Sequence, residues 1–249
     1  MFSDADSAAL YDVLNPWDPA VWPGDAFYEE LVMAADAVAD VGCGTGGMLH
    51  RAREQGHRGR LVGLDPDRAA LHRARRRSDI EWVEGSAVSA PWHAAFDLVT
   101  MTGHAFQCLV DDAEVRGSLR AIRAALRDGG RFVFETRHPQ ARAWEEWNPS
   151  NASDVTDARG RSLRVWHEVE SVVGDVVTFS GTTAEPAGAV LRVERTRLRF
   201  LDVTTLDAFL AEADLVVEAR YGDWDRGPVT GTSREIITIA VPARRTESR

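Results

Sequence analysis

Two periodicities of apolar residues divide the chain. Between residues 36 and 136, short apolar runs alternate with segments whose apolar positions follow a helical period. The runs predict buried strands and the longer period predicts helices that bury one face. Strands that alternate with helices predict a parallel sheet built by right-handed crossovers. The predicted strands are 37–41, 60–65, 80–84, 96–102 and 131–136, and the predicted helices are 45–55, 67–77 and a segment with Val115, Leu119, Ile122 and Leu126 on one face.

The stretch 162–201 follows a period of two instead. Leu163 and Val165 alternate with polar or bulky residues, and turn residues occur at Gly174 and again at 185–188. Alternation of this kind, interrupted by turns, predicts antiparallel strands. We therefore expect three antiparallel strands inserted into the α/β domain.

The remaining segments complete the predicted fold. A helix is expected to begin at the capping pattern formed by Thr204 and Asp207, and two strands follow at 215–221 and 235–241. The predicted fold class is therefore α/β. It has a Rossmann-like, mostly parallel sheet of seven strands, helices on both faces, and an inserted antiparallel sheet.

A glycine-rich turn follows the first predicted strand, from Asp40 to Gly46. Glycine adopts positive φ and lets the backbone approach a ligand closely, so this turn predicts a bound cofactor. Taken from Gly42 to Gly47, the turn fits the dinucleotide pattern G-x-G-x-x-G. Taken from Asp40 to Gly46, it fits D-x-G-x-G-x-G, the pattern of an S-adenosylmethionine site. Asp65, after the next strand, suits a pair of ribose hydroxyls in both cases, so the turn alone leaves both cofactors open.

Composition excludes several chemistries. All 29 basic residues are arginine, which removes the lysine of a P-loop, of a Schiff base and of a Tyr-x-x-x-Lys dehydrogenase pair. The net charge of −10 disfavours a nucleic-acid partner, because such binding relies on a basic surface. Cys43 and Cys108 suit reduced thiols and stand in no metal-ligand spacing, so no metal is expected. No leader pattern and no membrane-spanning apolar run occurs, and we expect a cytoplasmic protein without a membrane partner.

Five ordered blocks carry the more specific signal. Together they resemble the core of class I S-adenosylmethionine-dependent methyltransferases. A helix that ends at Gly129-Gly130 before a strand is habitual in that family, and it favours the methyltransferase interpretation of the glycine turn over a nicotinamide or flavin enzyme. Gly129 is also a plausible helix terminator on physical grounds. The blocks are 38–46, 62–65, 84–87, 96–99 and 126–132.

The resemblance implies which residues hold the cofactor. Asp40 and the glycines of the turn would line its methionine part, Asp65 would accept the ribose hydroxyls, and Pro66 would pack beside the adenine. Relatives often carry aspartate where this chain has Ser86, which leaves the adenine amino contact open. An alternative role for Asp65 is to cap the following helix. The implied cofactor set is Asp40, Gly42, Gly44, Gly46, Asp65, Pro66, Ser86, Ala87, Met101 and Gly103.

The reaction floor is expected at the carboxyl ends of the strands, where ligands bind in open α/β sheets. One strand end brings Gly103, His104 and Phe106 together, and a second carries Arg137 and His138. Methyl transfer is an in-line displacement that depends mainly on positioning. An amine acceptor needs no strong base, whereas a hydroxyl acceptor needs one, and either histidine is a candidate. A structural hydrogen bond is the alternative role of each.

Aromatic residues outside the core are candidates for acceptor recognition. In the family that the chain resembles, an N-terminal helix commonly lies over the cofactor, which implies a lid; packing on the sheet edge is its alternative. The expected domains are a lid at 1–35, a cofactor-binding core at 36–160 and 202–249, and a substrate-covering sheet at 161–201. The candidate catalytic residues are His104, His138 and Tyr11, and the candidate substrate-binding residues are Tyr11, Trp17, Phe106, Arg137, His138, Trp144 and Trp224.

The predicted function is methyl transfer from S-adenosylmethionine to a small-molecule amine. Parts of the chain also resemble N-methyltransferases of actinobacterial antibiotic pathways. O-methylation with a histidine base is the alternative within the class. A nicotinamide-dependent oxidoreductase or a non-catalytic cofactor-binding protein is the alternative outside it. A homo-oligomer is common among such enzymes.

Overall fold

The computed structural model describes residues 2–243, which form six α-helices and eleven strands joined by short loops and 3₁₀ turns. The helices are α1 (Asp4–Leu14), α2 (Pro23–Met33), α3 (Gly47–Glu54), α4 (Arg68–Ala74), α5 (Asp112–Ala125) and α6 (Val203–Glu212). The strands are β1 (Ala37–Val41), β2 (Arg60–Asp65), β3 (Glu81–Glu84), β4 (Phe96–Met101), β5 (Leu126–Arg137), β6 (Ser153–Thr156), β7 (Ser162–Val173), β8 (Val176–Ala184), β9 (Val190–Arg199), β10 (Leu215–Tyr221) and β11 (Glu235–Pro242).

Seven strands form the main sheet in the order β10-β11-β5-β4-β1-β2-β3. The pairs β1 with β2, β1 with β4, β2 with β3 and β4 with β5 are parallel, whereas β11 runs antiparallel to both β5 and β10. Every residue of β1 is buried, as expected for a central strand covered on both faces. The chain reverses its strand order beside β1, and ligands of open α/β sheets bind at such a point.

Helices cover both faces of this sheet. On one face, α5 and α6 pack their apolar sides on the sheet, with Leu119 of α5 and Leu206 of α6 completely buried. On the other face, α2 and α3 bury Val32 and Leu49 against the same strands. The predicted α/β class, with a mostly parallel sheet of seven strands, is confirmed.

The inserted sheet has four antiparallel strands, β6 to β9, rather than the three predicted. The additional strand, β6, precedes the expected start of the insertion at 161 and pairs with the first half of β7. Its four residues, Ser153–Thr156, contain one apolar side chain, Val155, so a strand of this length gives no recognisable alternation. Pairing with a neighbour, rather than local pattern, makes it a strand.

Two helix ends differ from the predictions. The N-cap of α6 is Asp202, whose Oδ1 accepts a hydrogen bond from the Thr205 backbone N–H at 2.7 Å, and not Thr204. Helix α5 ends at Ala125, before the predicted end at Gly129. Gly129 has φ of 79° within the irregular first part of β5, where the pairing with β4 shifts register. At α6 the alternative cap lies two residues before the predicted one, and at α5 the strand pairing of β5 begins before the predicted helix end.

Helix α1 packs against the inserted sheet and against α4. Leu10 of α1 is buried with Phe2 and Leu163 of β7. The Ser3 side chain caps the helix by accepting from the Asp6 N–H, and the Asp6 carboxylate accepts a hydrogen bond from the Ser3 backbone N–H. Three aspartates of α1 also form ion pairs with arginines outside it, namely Asp4 with Arg192 on β9, Asp6 with Arg161 in the loop before β7, and Asp12 with Arg73 on α4.

The cap assignment at α6 is testable. Asp202→Ala should lower the free energy of unfolding by about 1 kcal/mol, because the Thr205 N–H loses its acceptor. Thr204→Ala is the matched control, since its side chain is exposed, and it should change stability by less than about 0.5 kcal/mol. Urea denaturation followed by circular dichroism measures both. Equal losses in the two variants would contradict the assignment.

Candidate active site

The glycine turn after β1 is shaped by positive backbone dihedrals. Gly42, Gly44 and Gly46 have φ of 79°, 53° and 81°. A Cβ on Gly42 would lie 2.8 Å from the Cβ of Ala105, and one on Gly46 would lie 2.4 Å from the Trp82 ring. A Cβ on Gly44 would meet no atom within 4 Å, so this residue faces open space. The turn therefore offers bare backbone to a ligand at its middle, while its ends are closely packed.

Asp40 is a buried carboxyl at the end of β1. It is 1% exposed, and its Oδ1 accepts a hydrogen bond from the Thr100 hydroxyl at 2.9 Å. Burial raises the pKa of Asp40 to about 7, and the charge of Asp65 acts in the same direction. A cation bound beside it would favour the carboxylate. Asp40 therefore suits the ammonium group that the sequence resemblance assigns to it.

Asp65 joins the ends of β1 and β2. Its Oδ2 accepts from the Gly44 N–H at 2.7 Å, and its Oδ1 accepts from the Asp67 N–H at 2.8 Å. The N-cap of α4 is Asp67, which accepts from Ala69 and Ala70, so the alternative role of Asp65 as the helix cap is wrong. Each carboxylate oxygen keeps a second lone pair, which leaves it able to accept a ribose hydroxyl.

The predicted adenine side lies at the exposed end of β2 and β3. Pro66 and Ser86 are exposed, and Ser86 forms a small capped turn with Ser89. Ala87 is 4% exposed with its methyl group in the core, so it could offer a ligand only its backbone. These contacts stay predictions.

The reaction floor is formed by the loop after β4. Met101 is buried at the end of the strand, and Gly103 and His104 both have left-handed backbone, with φ of 64° and 63°. A Cβ on Gly103 would lie 3.7 Å from the Tyr11 hydroxyl. Burial raises the pKa of the Tyr11 phenol, and the charges of Asp65 and Asp40 raise it further, although 49% of the residue is exposed. Tyr11 thus lies beside Gly103 and near the two aspartates of the cofactor set, Asp40 and Asp65.

A network of buried polar groups supports this floor. Glu135 of β5 is 2% exposed, and burial raises its pKa. It accepts hydrogen bonds from the Tyr28 hydroxyl and, at 2.8 Å, from the His104 backbone N–H. The His104 Nε2 lies 3.0 Å from a carboxylate oxygen of Glu235 at the start of β11. The structure therefore brings Tyr28, Glu135 and Glu235 into the site, three residues that the sequence analysis did not select.

The second strand end carries Arg137 toward the inserted sheet. Its guanidinium donates to the Gln107 amide oxygen at 3.1 Å and lies over the Trp147 ring at 5.5 Å. Gln107 also donates to the Arg199 carbonyl of β9 at 3.1 Å, which joins the floor to the cover. His167 of β7 feels the charge of Arg137, which adds to burial in lowering its pKa. Arg137 thus lies between the core and the cover.

Several predicted residues lie in packing positions instead. Phe106 is 2% exposed and stacks on Phe134 with ring centroids 4.4 Å apart, so its expected place on the reaction floor is corrected to the core. Trp224 packs on Phe27 in the core of the other face. These rings are large and apolar, and burial in a core competes with exposure in a cleft.

Other candidates also make structural contacts. Trp144 packs edge-on against Phe200 at 4.6 Å, within a cluster of the inserted sheet. Trp17 packs beside Gly47 at the start of α3. His138 is 6% exposed, its Nδ1 accepts from the Gln140 N–H at 3.1 Å, and burial lowers its pKa. Their roles in substrate binding or catalysis rest on the sequence analysis alone.

Neither a metal cluster nor a spanning helix occurs in the part of the chain that is described. Among residues 2–243, no three His, Cys, Asp or Glu side chains are grouped so that they could hold a metal ion. Within the same residues, no helix has the length and apolar character needed to cross a membrane.

The fold and site define a class of protein, an α/β domain that holds a nucleoside cofactor at its central strand ends. Residues 38–130 match the family model described as a methyltransferase domain. This match covers less than half of the chain and identifies residues 38–130 as a methyltransferase domain. Of the two cofactors that the glycine turn alone left open, this match supports S-adenosylmethionine.

Known relatives agree with this family. The chain is 37% identical over 152 residues to a 2-phytyl-1,4-naphtoquinone methyltransferase of Thermosynechococcus vestitus, covering 56% of this chain and 65% of that one. It is 28% identical over 220 residues to a cypemycin N-terminal methyltransferase of Streptomyces, covering 81% of each. The solved CcbJ methyltransferase of Streptomyces caelestis shares the fold with a TM-score of 0.74 at 19% identity, covering 95% of this chain and 97% of that one.

The raised pKa of Asp40 predicts pH-dependent cofactor binding. Below about pH 7 the free protein carries a protonated Asp40, and binding next to an ammonium group must release that proton. The affinity for S-adenosylhomocysteine should therefore rise by up to about tenfold per pH unit as pH increases toward 7, and level off above it. Calorimetric titration in buffers of different ionisation enthalpy measures the affinity and the released proton.

The control for this titration is Asp40→Asn, which should bind weakly and without proton release. A pH dependence that persists unchanged in Asp40→Asn would assign the titration to another group.

Proposed function

We propose that this protein methylates the nitrogen of a small-molecule amine, using S-adenosylmethionine as the methyl donor. The observation that carries the proposal is the set of carboxyl groups around the reaction floor. Glu135 contacts the His104 backbone and Glu235 contacts the His104 ring, and the charges of both act on Arg137. An acidic floor favours an acceptor that gains positive charge during the reaction.

The bond changes explain why an acidic floor helps. Bound S-adenosylmethionine supplies an electrophilic methyl carbon on a sulfonium. The neutral amine nitrogen forms the new bond to that carbon as the carbon–sulfur bond breaks, and the nitrogen becomes an ammonium. Glu135 and Glu235 would stabilise this cation, and the proton then leaves to water. Most of the rate acceleration is expected from alignment, which can contribute roughly 7–11 kcal/mol.

The lid would align the reactants and exclude water. Tyr11 of this helix lies beside Gly103. The ion pairs of α1 with α4 and with the inserted sheet would hold the helix over the glycine turn. Excluding water strengthens the attraction between the carboxyl groups and the developing cation. This supports the expected roles of residues 1–35 as a lid and of the inserted sheet as a cover.

The names of the relatives support nitrogen without fixing the acceptor. The similarity to the relative named as an N-terminal methyltransferase covers 81% of this chain. A contiguous match of that length has to include the inserted sheet at residues 153–201. The relative named as a quinone methyltransferase is similar over only 56%. Similarity that extends through the cover is the more informative about the acceptor, because the cover faces it.

O-methylation is the second candidate, and the pair formed by His104 and Glu235 favours it. A carboxylate bound to one imidazole nitrogen orients the ring, as in the histidine of a general base. His138 is the weaker candidate because its Nδ1 already accepts the Gln140 N–H. The two reactions therefore differ in what they demand of His104.

Two measurements test the proposed function. Calorimetry should detect binding of S-adenosylhomocysteine and none of NADH; binding of NADH alone would refute a methyltransferase. Formation of S-adenosylhomocysteine should then be measured over matched amines and alcohols, for example ethylamines and the corresponding ethanols. Product from the alcohols alone would replace N-methylation by O-methylation, and no product from either would leave a cofactor-binding protein.

The variant His104→Gln separates the two mechanisms. For an amine acceptor, activity lost at neutral pH should return at alkaline pH, where the free amine is abundant without help from the protein. For a hydroxyl acceptor that depends on a base, the loss should be about 10²-fold or more at every pH. The pH profile of kcat/KM for wild type and variant is the measurement, and Arg131→Gln, an exposed residue in the first half of β5 that pairs with Glu218, is the control.

A further inference from the structure

Arg137 is a half-buried guanidinium at the acceptor side of the site, and no side-chain carboxylate among residues 2–243 forms an ion pair with it. Its one side-chain hydrogen bond goes to the neutral amide oxygen of Gln107. Burial lowers its pKa. Other arginines of the sheet have acidic partners, for example Arg131, which pairs with Glu218. Partly burying a cation without a paired anion costs free energy unless a ligand supplies the opposite charge.

The carboxylates near Arg137 are committed elsewhere. Glu235 stands opposite Arg137 in the pairing of β11 with β5, yet its carboxylate bonds the His104 ring. Glu135 accepts from the Tyr28 hydroxyl and from the His104 backbone. Both acids attract the guanidinium from a distance and raise its pKa slightly, but neither occupies its N–H groups. Among residues 2–243, the other guanidinium N–H groups of Arg137 donate to no protein acceptor.

The groups that surround the guanidinium include a neutral amide and an aromatic ring. Gln107 binds the guanidinium from the core, and the Trp147 ring covers it at 5.5 Å. His167 on the cover is driven toward its neutral form by burial and by Arg137 itself, so it adds little positive charge. Tyr11 and Cys108 complete the neighbourhood on the lid and floor sides. The planar fork of donors matches a carboxylate or a phosphate, and the single positive charge of Arg137 balances the single charge of a carboxylate but not a doubly charged phosphate.

We propose that Arg137 binds a carboxylate of the methyl acceptor, so that the acceptor is a small amino acid-like molecule with an amine and an acid. The inference rests on the proposed N-methylation. Its geometry follows from the charge arrangement, because the acidic floor at Glu135 and Glu235 attracts the amine end and Arg137 attracts the acid end. One orientation of such a zwitterion then directs its nitrogen to the floor.

The test compares matched acceptors that differ in one charge. Common α-amino acids, β-alanine and short peptides are each paired with the corresponding carboxamide, and ethanolamine is paired with phosphoethanolamine. Binding to the protein saturated with S-adenosylhomocysteine is measured by calorimetry, and turnover is measured by S-adenosylhomocysteine formation. The amides have the less basic amines, so a preference for the acids cannot arise from a greater supply of neutral amine.

At least one acid should bind and react at least about tenfold better than its amide, the scale of a charge-assisted hydrogen bond. Arg137→Gln should remove that preference, mainly through KM, while the affinity for S-adenosylhomocysteine stays unchanged. Arg137→Lys should restore part of it. The control Arg131→Gln, on the same strand but paired with Glu218 at the surface, should keep the full preference. Circular dichroism and thermal unfolding verify that each variant is folded.

Four results would overturn the inference. Acids and amides that behave alike across the panel, including a complete lack of binding by both, would refute it. So would a preference that survives in Arg137→Gln, or phosphoethanolamine as the best acceptor. A tenfold weaker affinity of Arg137→Gln for S-adenosylhomocysteine would assign the residue to the cofactor's own carboxylate. Methylation of amines without regard to their acid group would refute this inference alone, whereas methylation of alcohols alone would refute the proposed function.

Discussion

The buried carboxyl of Glu135 is the interaction on which the reaction floor depends. It accepts hydrogen bonds from the Tyr28 hydroxyl of α2 and from the His104 backbone, and it thereby ties a helix of one face to the loop after β4. His104 has φ of 63°, which costs a non-glycine residue roughly 1–3 kcal/mol. A charge-assisted hydrogen bond to its N–H offsets much of this cost. Without Glu135, the His104 N–H would lose its acceptor and this compensation would be lost.

This arrangement also explains why the two halves of the site differ in character. The cofactor half is built from backbone: the Gly44 N–H binds Asp65, and the glycine dihedrals shape the turn around it. The acceptor half is built from side chains of distant segments, with Arg137, Trp147 and Gln107 meeting between the core and the inserted sheet. Backbone sites tolerate little variation, whereas side-chain sites can change specificity by substitution.

The shape of the glycine turn could be predicted from sequence because its determinants are local. Gly42, Gly44 and Gly46 require positive φ within a single turn, and Asp40 and Asp65 end adjacent parallel strands. The repeated alternation of strand and helix likewise predicted the order of the main elements. Local pattern was enough wherever the physical requirement lay within a few residues.

The acceptor half could not be predicted because its determinants are long-range. Glu235 enters the site only because β11 pairs with β5, and the hydrogen bond of Tyr28 to Glu135 spans two elements far apart in sequence. Phe106 was expected on the reaction floor, but its ring stacks on Phe134 in the core. Asp202, and not Thr204, caps α6 because its carboxylate accepts the hydrogen bond of the Thr205 N–H. The position of each of these side chains depends on the residues that it contacts in the folded protein, and sequence spacing does not reveal those contacts.

A charged residue inside a buried strand end is nevertheless a signal that sequence offers. Glu135 and Arg137 interrupt the apolar pattern of β5 at its carboxyl end, where an unpaired charge would be costly. The cost is acceptable only if partners from other segments or a ligand complete each charge. Glu135 has protein partners for both oxygens, whereas Arg137 has a neutral amide and an aromatic ring. The contrast between these two neighbours on one strand separates a residue that holds the site together from one that faces its ligand.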